Sequence, residues 1–452
     1  APPRHSCPKL TPRQVSNIIR QNDVTAEPDS RCAVKYFEYN QLAANHPIED
    51  RRAEAKCLKT PGMLFGIFDG HGGTACAQAV SERLFEYVAV SLLPQDVLED
   101  CSRAMKSDAL PFDLLEWYRN DADYTNIELA GVYRRSLERY IDETLSAMDV
   151  DEFDMAAALE MAALRLDADI GHEVLSSGGG GERMHVNLES LEAAFSGCTA
   201  CVAHVDGPHL HVANVGDSRA VVGYLDDNDA WAAAAMSRDH CAENADEVAR
   251  VRAEHAVEER HTVIKSERLL GELIPLRAFG DFRYKWSKAT LQSMLADTRQ
   301  SRLLIPQHYA SPPYLTARPE VAYRRLTARD KFLVMATDGL WEQLDSEKVV
   351  RLVAEHVSGA QTLDPYVTHK EPITFGEVNG GLLARKTGLA NRAVDTNVAS
   401  HLIRNALGLT DRGVDHGKLS MMLSLPAEVT RNFRDDITVT VIYFDGDYLA
   451  HN

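Results

Sequence analysis

LFGIFDGHGG, at residues 64–73, is an apolar strand-like run that ends in an aspartate and a glycine-rich turn. An aspartate also adjoins an apolar run in FLVMATDG, at 332–339, and in RDDITVTV, at 434–441. Because a buried strand holds a carboxylate rigidly at its end, we expect Asp69, Asp338 and Asp435 to converge. Converging carboxylate oxygens form a site for hard divalent cations. The pattern therefore predicts metal-assisted hydrolysis of a phosphate ester.

Composition narrows the choice of partner. The 452 residues include 48 Lys and Arg against 67 Asp and Glu, a net charge of −19. So acidic a chain argues against nucleic acid, whose phosphates require clustered basic side chains. No run approaches the roughly 18 apolar residues of a membrane span, so we expect none. Because the chain begins at Ala1 rather than Met, we expect that a targeting segment has been removed.

Two groups of cysteines and histidines, which are common metal ligands, are better explained by a structural role than by metal binding. The eight cysteines are scattered, which is typical of a reducing compartment, and Cys198 and Cys201 form a lone C-x-x-C within a strand-like run. We interpret this pair as buried structural thiols. We interpret His204, His209 and His211 as partly exposed strand residues rather than a zinc site, because no ligand lies at matching spacing.

The secondary-structure pattern alternates blocks of strands with blocks of helices. Apolar residues at helical spacing from Ala77 to Val88 predict a long amphipathic helix after the Gly72-Gly73 turn. Further helices are predicted near 128–147, 154–170, 346–357 and 399–407, and a short one at 12–21. Strands are predicted at 63–68, 198–205, 209–215, 219–224, 332–337 and 437–443, the last half-buried. Strands joined by tight turns, with helices set apart, favour an α+β layered sandwich over βαβ repeats.

The site itself begins at D-G-H-G-G. The glycines allow close approach of the backbone, and the Gly70 carbonyl is a possible oxygen ligand. Read alone, the segment is equally compatible with a simple tight turn, but the other two aspartates favour a metal site. Two ions about 3.5–4 Å apart would hold a bridging water that attacks phosphorus directly, with Asp69 as the bridging ligand and Asp338 and Asp435 as terminal ligands.

Five motifs in order resemble the signatures of the metal-dependent type 2C protein phosphatases. They are FDGHGG at 68–73, VGDSR at 215–219, RAFGD at 277–281, TDGLW at 337–341 and RDDIT at 434–438. The resemblance implies a four-layer α-β-β-α fold, a central β-sandwich of two antiparallel sheets flanked by helices on both sides. It implies an N-terminal extension at 1–35 and a single catalytic domain at 36–450, with a helical insertion at about 95–190 and an irregular insertion at about 358–430.

The resemblance also assigns roles to individual residues. It implies two Mg²⁺ or Mn²⁺ ions bound by Asp69, Gly70, Asp338 and Asp435. The remaining implied assignments are Glu49 and Asp50 as ligands acting mainly through water, His71 as the general acid, and Asp217 and Glu342 as a weaker third metal position. From the residues alone, His71 could equally be a hydrogen-bonding partner of a ligand.

Within the family, the chain resembles the branch that acts on the pyruvate dehydrogenase complex. NQLAANHPIEDRR at 40–52, PPYLTA at 312–317 and KLSMMLSLP at 418–426 carry this resemblance. It implies a mitochondrial matrix enzyme that dephosphorylates phosphoserines on E1 alpha and so reactivates the complex. The implied partners are the lipoyl domain of the E2 core, engaged with Ca²⁺, and a regulatory subunit.

One position departs from the family pattern. The family usually has a phosphate-binding Arg four residues before Glu49, and this chain has Asn45. A neutral amide cannot form the bidentate, charged clamp of a guanidinium. Arg51 or Arg52 could replace it, although exposure is the simpler explanation for both. We therefore expect weak intrinsic affinity for short phosphopeptides and delivery of substrate by docking elsewhere.

Two other functions are compatible with the same residues. One is a nucleotide or small-molecule phosphoesterase with the same two metals. The other is a pseudophosphatase that binds phosphoproteins as a scaffold, which is disfavoured because a structural role does not need Asp69, Asp338 and Asp435 together.

Overall fold

The computed structural model describes most of the chain. The described residues are 9–106, 113–118, 129–147, 153–174, 187–294, 305–359, 373–390, 395–410 and 413–451. They fall into two compact units. The terminal unit comprises Ala1–Ile48, Val221–Ala235 and Ala328–His451, and the central unit comprises Glu49–Ala220 and Met236–Thr327. The glycine-rich segment at 176–181 lies outside the described residues.

The strands are β1 Val24–Ala26, β2 Val34–Leu42, β3 Arg51–Cys57, β4 Met63–His71, β5 Leu115–Trp117, β6 Gly197–Asp206, β7 His209–Val215, β8 Arg219–Leu225, β9 Trp231–Ala235, β10 Ile264–Lys265, β11 Arg268–Leu269, β12 Phe279–Gly280, β13 Glu320–Arg325, β14 Asp330–Ala336, β15 Leu409–Thr410, β16 Gly413–Val414 and β17 Ile437–Phe444.

The helices are α1 Pro12–Ile19, α2 Ala75–Ser91, α3 Gln95–Lys106, α4 Ala130–Ala147, α5 Met155–Val174, α6 Leu188–Phe195, α7 Ala245–Glu254, α8 Lys288–Met294, α9 Asp338–Trp341, α10 Ser346–Ser358, α11 Phe375–Ala390, α12 Val398–Gly408, α13 His416–Leu423, α14 Ala427–Thr430 and α15 Gly446–Leu449.

The central unit is built on a seven-stranded sheet in the order β13-β7-β6-β4-β3-β5, with β12 also paired to β6. Every pairing in it is antiparallel. Helix α2 packs on β4 and β6, and α5 packs on α2 and β7. Their apolar faces bury Phe68, Phe85, Leu159 and Ala200 in one core. Since β4 lies at the middle of this sheet, its backbone is held on both sides.

The terminal unit is built on a six-stranded sheet in the order β1-β2-β17-β14-β8-β9. Helix α12 packs on β2 and β17, and α10 packs on β9. Helix α10 begins as predicted, because the Asp345 side chain accepts a hydrogen bond from the Lys348 N–H and caps it. Two antiparallel sheets flanked by helices confirm the predicted α+β class.

Two local expectations need correction. Strand β17 is buried on both faces rather than half-buried, because the side chains of Thr438 and Thr440 are enclosed as fully as those of the aliphatic residues that alternate with them. Helix α1 confirms the short helix predicted at 12–21, and it contributes Val15 and Ile19 to the terminal core. Helices α11, α13 and α14 occupy a region where the sequence shows no clear period. Among the described residues, no helix has both the length and the apolarity of a membrane span.

Candidate active site

Strand β4 places the D-G-H segment inside the central sheet rather than after it. Asp69, Gly70 and His71 are its last three residues, and they lie opposite Thr199, Cys198 and Gly197 of β6. Antiparallel pairing along the whole strand fixes the register of these three residues. The carboxylate and the imidazole therefore project from a rigid backbone.

Asp217 is brought to Asp69 by the turn after β7. Gly216 has a φ of +112°, and a Cβ there would lie 2.3 Å from the Cβ of Thr199, the residue opposite Asp69. Only glycine permits this approach of the turn to β6. As a result, carboxylate oxygens of Asp69 and Asp217 lie within 4.8 Å of each other, a separation that one cation can span.

The turn after β4 is tied to the start of β3. A Cβ on Gly70 would lie 2.4 Å from the Glu49 carbonyl oxygen, so residue 70 must be glycine for these two segments of the backbone to approach so closely. The Glu49 carboxylate accepts a hydrogen bond of 2.7 Å from the Gly73 N–H. Asp50 is 2% exposed. The predicted early acidic pair thus lies in the same unit as Asp69, with Glu49 bound to the segment that carries it.

His71 pairs with a carboxylate that the sequence did not assign to the site. Its Nε2 lies 2.6 Å from Oδ2 of Asp281, the last residue of the R-A-F-G-D motif. Burial by itself would lower the pKa of His71, but the Asp281 carboxylate, with Asp217 and Glu49 nearby, raises it above the ordinary value. The imidazole therefore favours the protonated form that a general acid needs.

The terminal unit holds a second acidic cluster. The end of β14 and the start of β17 are joined by hydrogen bonds in both directions between Thr337 and Thr438. Asp338 is the first residue of α9, and a Cβ on the following Gly339 would lie 2.0 Å from the Asp436 carbonyl oxygen. This close packing brings the Asp338-Gly339 backbone against Asp435-Asp436.

Ionisation of a carboxyl is disfavoured in this second cluster, mainly by burial. Burial, with further contributions from the Asp436 and Glu342 carboxylates, raises the pKa of Asp435 to about 6. The Arg431 guanidinium, 2.5 Å away, offsets only part of this effect. Clustered oxygen donors that are destabilised as anions fit a divalent cation, which neutralises them on binding. Both clusters thus offer the ligands that Mg²⁺ and Mn²⁺ prefer.

The predicted phosphate-binding residues have other contacts. The Asn45 Nδ2 donates to Asp436 Oδ2 at 3.1 Å, and the Asn45 backbone N–H donates to Asp436 Oδ1. Arg51 donates to Gln78 Oε1 and to the Asp50 carbonyl. Arg52 is not exposed as the sequence suggested, because it forms an ion pair with the buried Glu54.

The cysteine and histidine groups are outside both clusters. Cys198 and Cys201 are buried in β6, as predicted for structural thiols. His209 and His211 are partly exposed, but His204 is only 5% exposed, which corrects its interpretation. Burial lowers the pKa of His204 to about 4. Within the described ranges, no group of three histidine, cysteine or carboxylate ligands converges here.

These features define the class: a metal-dependent hydrolase of phosphate esters, with carboxylate clusters for cations and a histidine placed for proton transfer. The model of the protein phosphatase 2C family matches residues 128–368. The mitochondrial [pyruvate dehydrogenase [acetyl-transferring]]-phosphatase 1 of Homo sapiens is 45% identical over 97% of this chain and 83% of its own length. Phosphatase 2 of the same name from Homo sapiens is 44% identical over 98% and 85%. A protein phosphatase 2C homologue of Schizosaccharomyces pombe is 32% identical over 90% and 80%. The chain belongs to the protein phosphatase 2C family, and it is a protein phosphatase of the Mg²⁺- or Mn²⁺-dependent kind.

Sequence reasoning missed the roles of Asp281 and Gly197. Asp281 was recognised only as part of a motif, and nothing in its neighbourhood indicates a partner 210 residues away. Gly197 precedes the strand predicted at 198–205 and resembles an ordinary turn glycine, whereas in the structure it is the first residue of β6. A usable signal was the R-A-F-G-D aspartate itself, which follows an apolar residue and a glycine as Asp69 and Asp338 follow apolar runs.

Proposed function

We propose that this protein removes phosphate from phosphoserines on the E1 alpha component of the pyruvate dehydrogenase complex and so reactivates the complex, in the mitochondrial matrix. Support comes from the two mitochondrial relatives, which match nearly the whole chain at about 45% identity. The observation that carries the chemistry is the pairing of the Asp69 and Asp217 carboxylates beside a histidine whose pKa is raised.

The ligand assignment follows the family pattern. We assign Asp69, Gly70, Asp338 and Asp435 to two Mg²⁺ or Mn²⁺ ions, with Glu49 and Asp50 acting through water. We assign Asp217 and Glu342 to a third, weaker position. When bound, such ions supply neutralisation of the phosphoryl oxygens and a lowered pKa of water.

The protein's own groups would perform the remaining tasks. His71 gives a proton to the seryl oxygen as its bond to phosphorus breaks, so that the leaving group departs as an alcohol. The Asn45 amide, bonded to Asp436, shapes the loop before β3 and contributes no positive charge to phosphate. Arg51 is committed in part to Gln78. These contacts support weak intrinsic affinity for short phosphopeptides, with affinity supplied by docking.

The partners are assigned from the branch resemblance. We propose that the lipoyl domain of the E2 core, with Ca²⁺ at the interface, delivers the enzyme to its substrate, and that a regulatory subunit modulates it. A docked enzyme meets its substrate at high effective concentration, so a weak phosphate site suffices.

The test is metal removal and replacement with phosphorylated pyruvate dehydrogenase as substrate. EDTA should abolish phosphate release, and Mg²⁺ or Mn²⁺ should restore it. Asp338→Asn should abolish release while circular dichroism stays native, and undiminished turnover in that variant would refute the metal assignment. Faster turnover of nucleotides than of phosphoprotein would indicate a small-molecule phosphoesterase. Phosphoprotein binding without any turnover would indicate a scaffold.

A further inference from the structure

The R-A-F-G-D segment approaches the active-site strand through a two-residue strand. In β12, Phe279 and Gly280 pair with Cys198 and Gly197 at the start of β6, and the same Gly197 lies opposite His71 on the other side. The backbone then turns sharply, because Gly280 has a φ of +65° and Asp281 a φ of +51°. This left-handed turn directs the Asp281 carboxylate across Gly197 to His71.

The space between His71 and Asp281 is available only because residue 197 has no side chain. A Cβ at Gly197 would lie 2.0 Å from His71 Nε2 and 2.3 Å from Asp281 Oδ2. Both distances are far below van der Waals contact. Gly197 therefore sits directly beneath the hydrogen bond between the two groups, and it is required for that bond to form.

Asp281 is held from several directions. It is 5% exposed, its N–H donates to the Ser196 carbonyl, and its carbonyl accepts from the Tyr284 N–H. A non-glycine residue in the left-handed region costs about 1–2 kcal/mol unless its side chain compensates, and aspartate is among the residues that tolerate it. The fold maintains this conformation at a residue whose side chain is hydrogen-bonded to the histidine.

The preceding residue is fixed by helix α5. Asp167 on that helix accepts the Gly280 N–H at 2.9 Å, and the Lys285 ammonium bridges Asp167 to the Ala278 carbonyl. Each of these groups is buried or nearly so. The turn carrying Asp281 is thus tied to the sheet on one side and to a helix on the other, as expected for a group that must hold another side chain in place.

We infer that Asp281 is a positioning residue for the general acid His71, so that the two form a His–Asp dyad in which Asp281 fixes the ring through Nε2 and leaves Nδ1 for the substrate. This inference rests on the proposed role of His71. As water forms the new bond to phosphorus, the electron pair of the breaking bond passes to the seryl oxygen, which takes the proton from Nδ1. The Asp281 carboxylate accepts the Nε2–H throughout.

The leaving group provides a readout that a merely structural role would not change. A seryl alkoxide is a strong base and must be protonated, whereas p-nitrophenolate is a weak base and departs without a proton. General acid catalysis contributes about 10²–10⁴-fold. In Mg²⁺, Asp281→Asn should lower kcat on phosphorylated pyruvate dehydrogenase by about 100-fold or more, with KM unchanged, and should alter kcat on p-nitrophenyl phosphate by less than about threefold. Asparagine suits the left-handed backbone and keeps the side-chain volume.

Two further variants complete the design. Asp281→Asn combined with His71→Ala should be no slower than His71→Ala alone on the phosphoprotein, because both act in one step. Glu320→Gln is the matched control, because Glu320 is also a carboxylate beside a histidine, 3.3 Å from the buried His240 in the same unit. This substitution should leave the turnover of both substrates unchanged. If Asp281→Asn does not fold, Asp281→Gly with added formate replaces it, and formate should restore phosphoprotein turnover.

The outcomes separate the inference from the proposed function. Equal losses on the two substrates, or no loss on the phosphoprotein, would overturn the positioning role while the wild-type enzyme remains a phosphatase. Failure of the wild-type protein to release phosphate from the phosphoprotein would instead overturn the proposed function. Additive losses in the double variant would show that Asp281 acts outside the proton-transfer step and would likewise refute the dyad.

Discussion

Replacing Asp435 by asparagine should make the metal-free protein more stable. The pKa of this carboxyl is raised from 3.8 to about 6, first by burial and then by its acidic neighbours. This rise in the pKa corresponds to about 3 kcal/mol of free energy. Because the folded pKa exceeds the unfolded one, ionisation destabilises the fold, and this cost appears as pH rises from about 4 to about 6 and is complete above that range.

The assay is urea unfolding in EDTA at pH 7.5 and at pH 4. We expect Asp435→Asn to raise the free energy of unfolding by up to about 3 kcal/mol at pH 7.5 and by little at pH 4. Added Mg²⁺ should stabilise the wild type far more than the variant, because binding to the folded state adds to its stability. In Mg²⁺, the difference in free energy of unfolding between the variant and the wild type should therefore shrink or change sign.

The neighbouring aspartate is an internal control with the opposite sign. Asp436 accepts hydrogen bonds from the N–H groups of Ala44 and Asn45 and from the Asn45 amide. Asp436→Ala should therefore destabilise the metal-free protein by about 1–3 kcal/mol. If Asp435→Asn also destabilised the EDTA-treated protein at pH 7.5, the conclusion that burial and acidic neighbours disfavour the ionised Asp435 would be refuted.

Three further predictions concern the central unit. Arg83→Met should lower the free energy of unfolding by about 3–5 kcal/mol in urea titrations, because it leaves the buried Glu173 carboxylate without the guanidinium that now bonds both of its oxygens; a loss below 1 kcal/mol would contradict this. Burial lowers the pKa of His204 to about 4, so about 3 kcal/mol of stability that the wild type has above pH 6.5 is lost as the pH falls to 4. His204→Gln should remove this loss, and an unchanged dependence of stability on pH would show that His204 does not titrate in this range. Gly197→Ala should reduce phosphoprotein turnover at least as much as loss of the histidine does, with Ala203→Gly in the same strand as a control for folding, and full activity would disprove the steric argument.

The strands and helices with a clear period could be predicted from sequence, and the reasons for the errors are physical. Strand β4 and helix α2 carry an apolar run and a 3.6-residue period, so their burial is visible in the sequence. Strand β17 alternates threonine with aliphatic residues, which imitates a half-exposed strand. Both faces of this strand are covered in the folded protein, and that tertiary packing, which the local sequence pattern does not encode, decides burial.

Only the site residues that a local sequence pattern marks could be predicted. Asp69 and Asp435 stand beside apolar runs and could be singled out, but the nearness of Asp217 to Asp69 depends on Gly216 packing over Thr199. Contacts between strands far apart in sequence leave no local period. The family resemblance supplied the role of His71, whereas the identity of its carboxylate partner required the three-dimensional register of β6 and β12.

Helix α5 has a consequence for engineering this enzyme. One aspartate of that helix, Asp167, grips the main chain one residue ahead of the carboxylate that steadies His71. Deleting α5 to obtain a smaller enzyme would therefore lower the catalytic rate, although the helix itself carries no proposed catalytic group. For the same reason, a molecule that binds α5 and displaces it would change the rate at which phosphate is released.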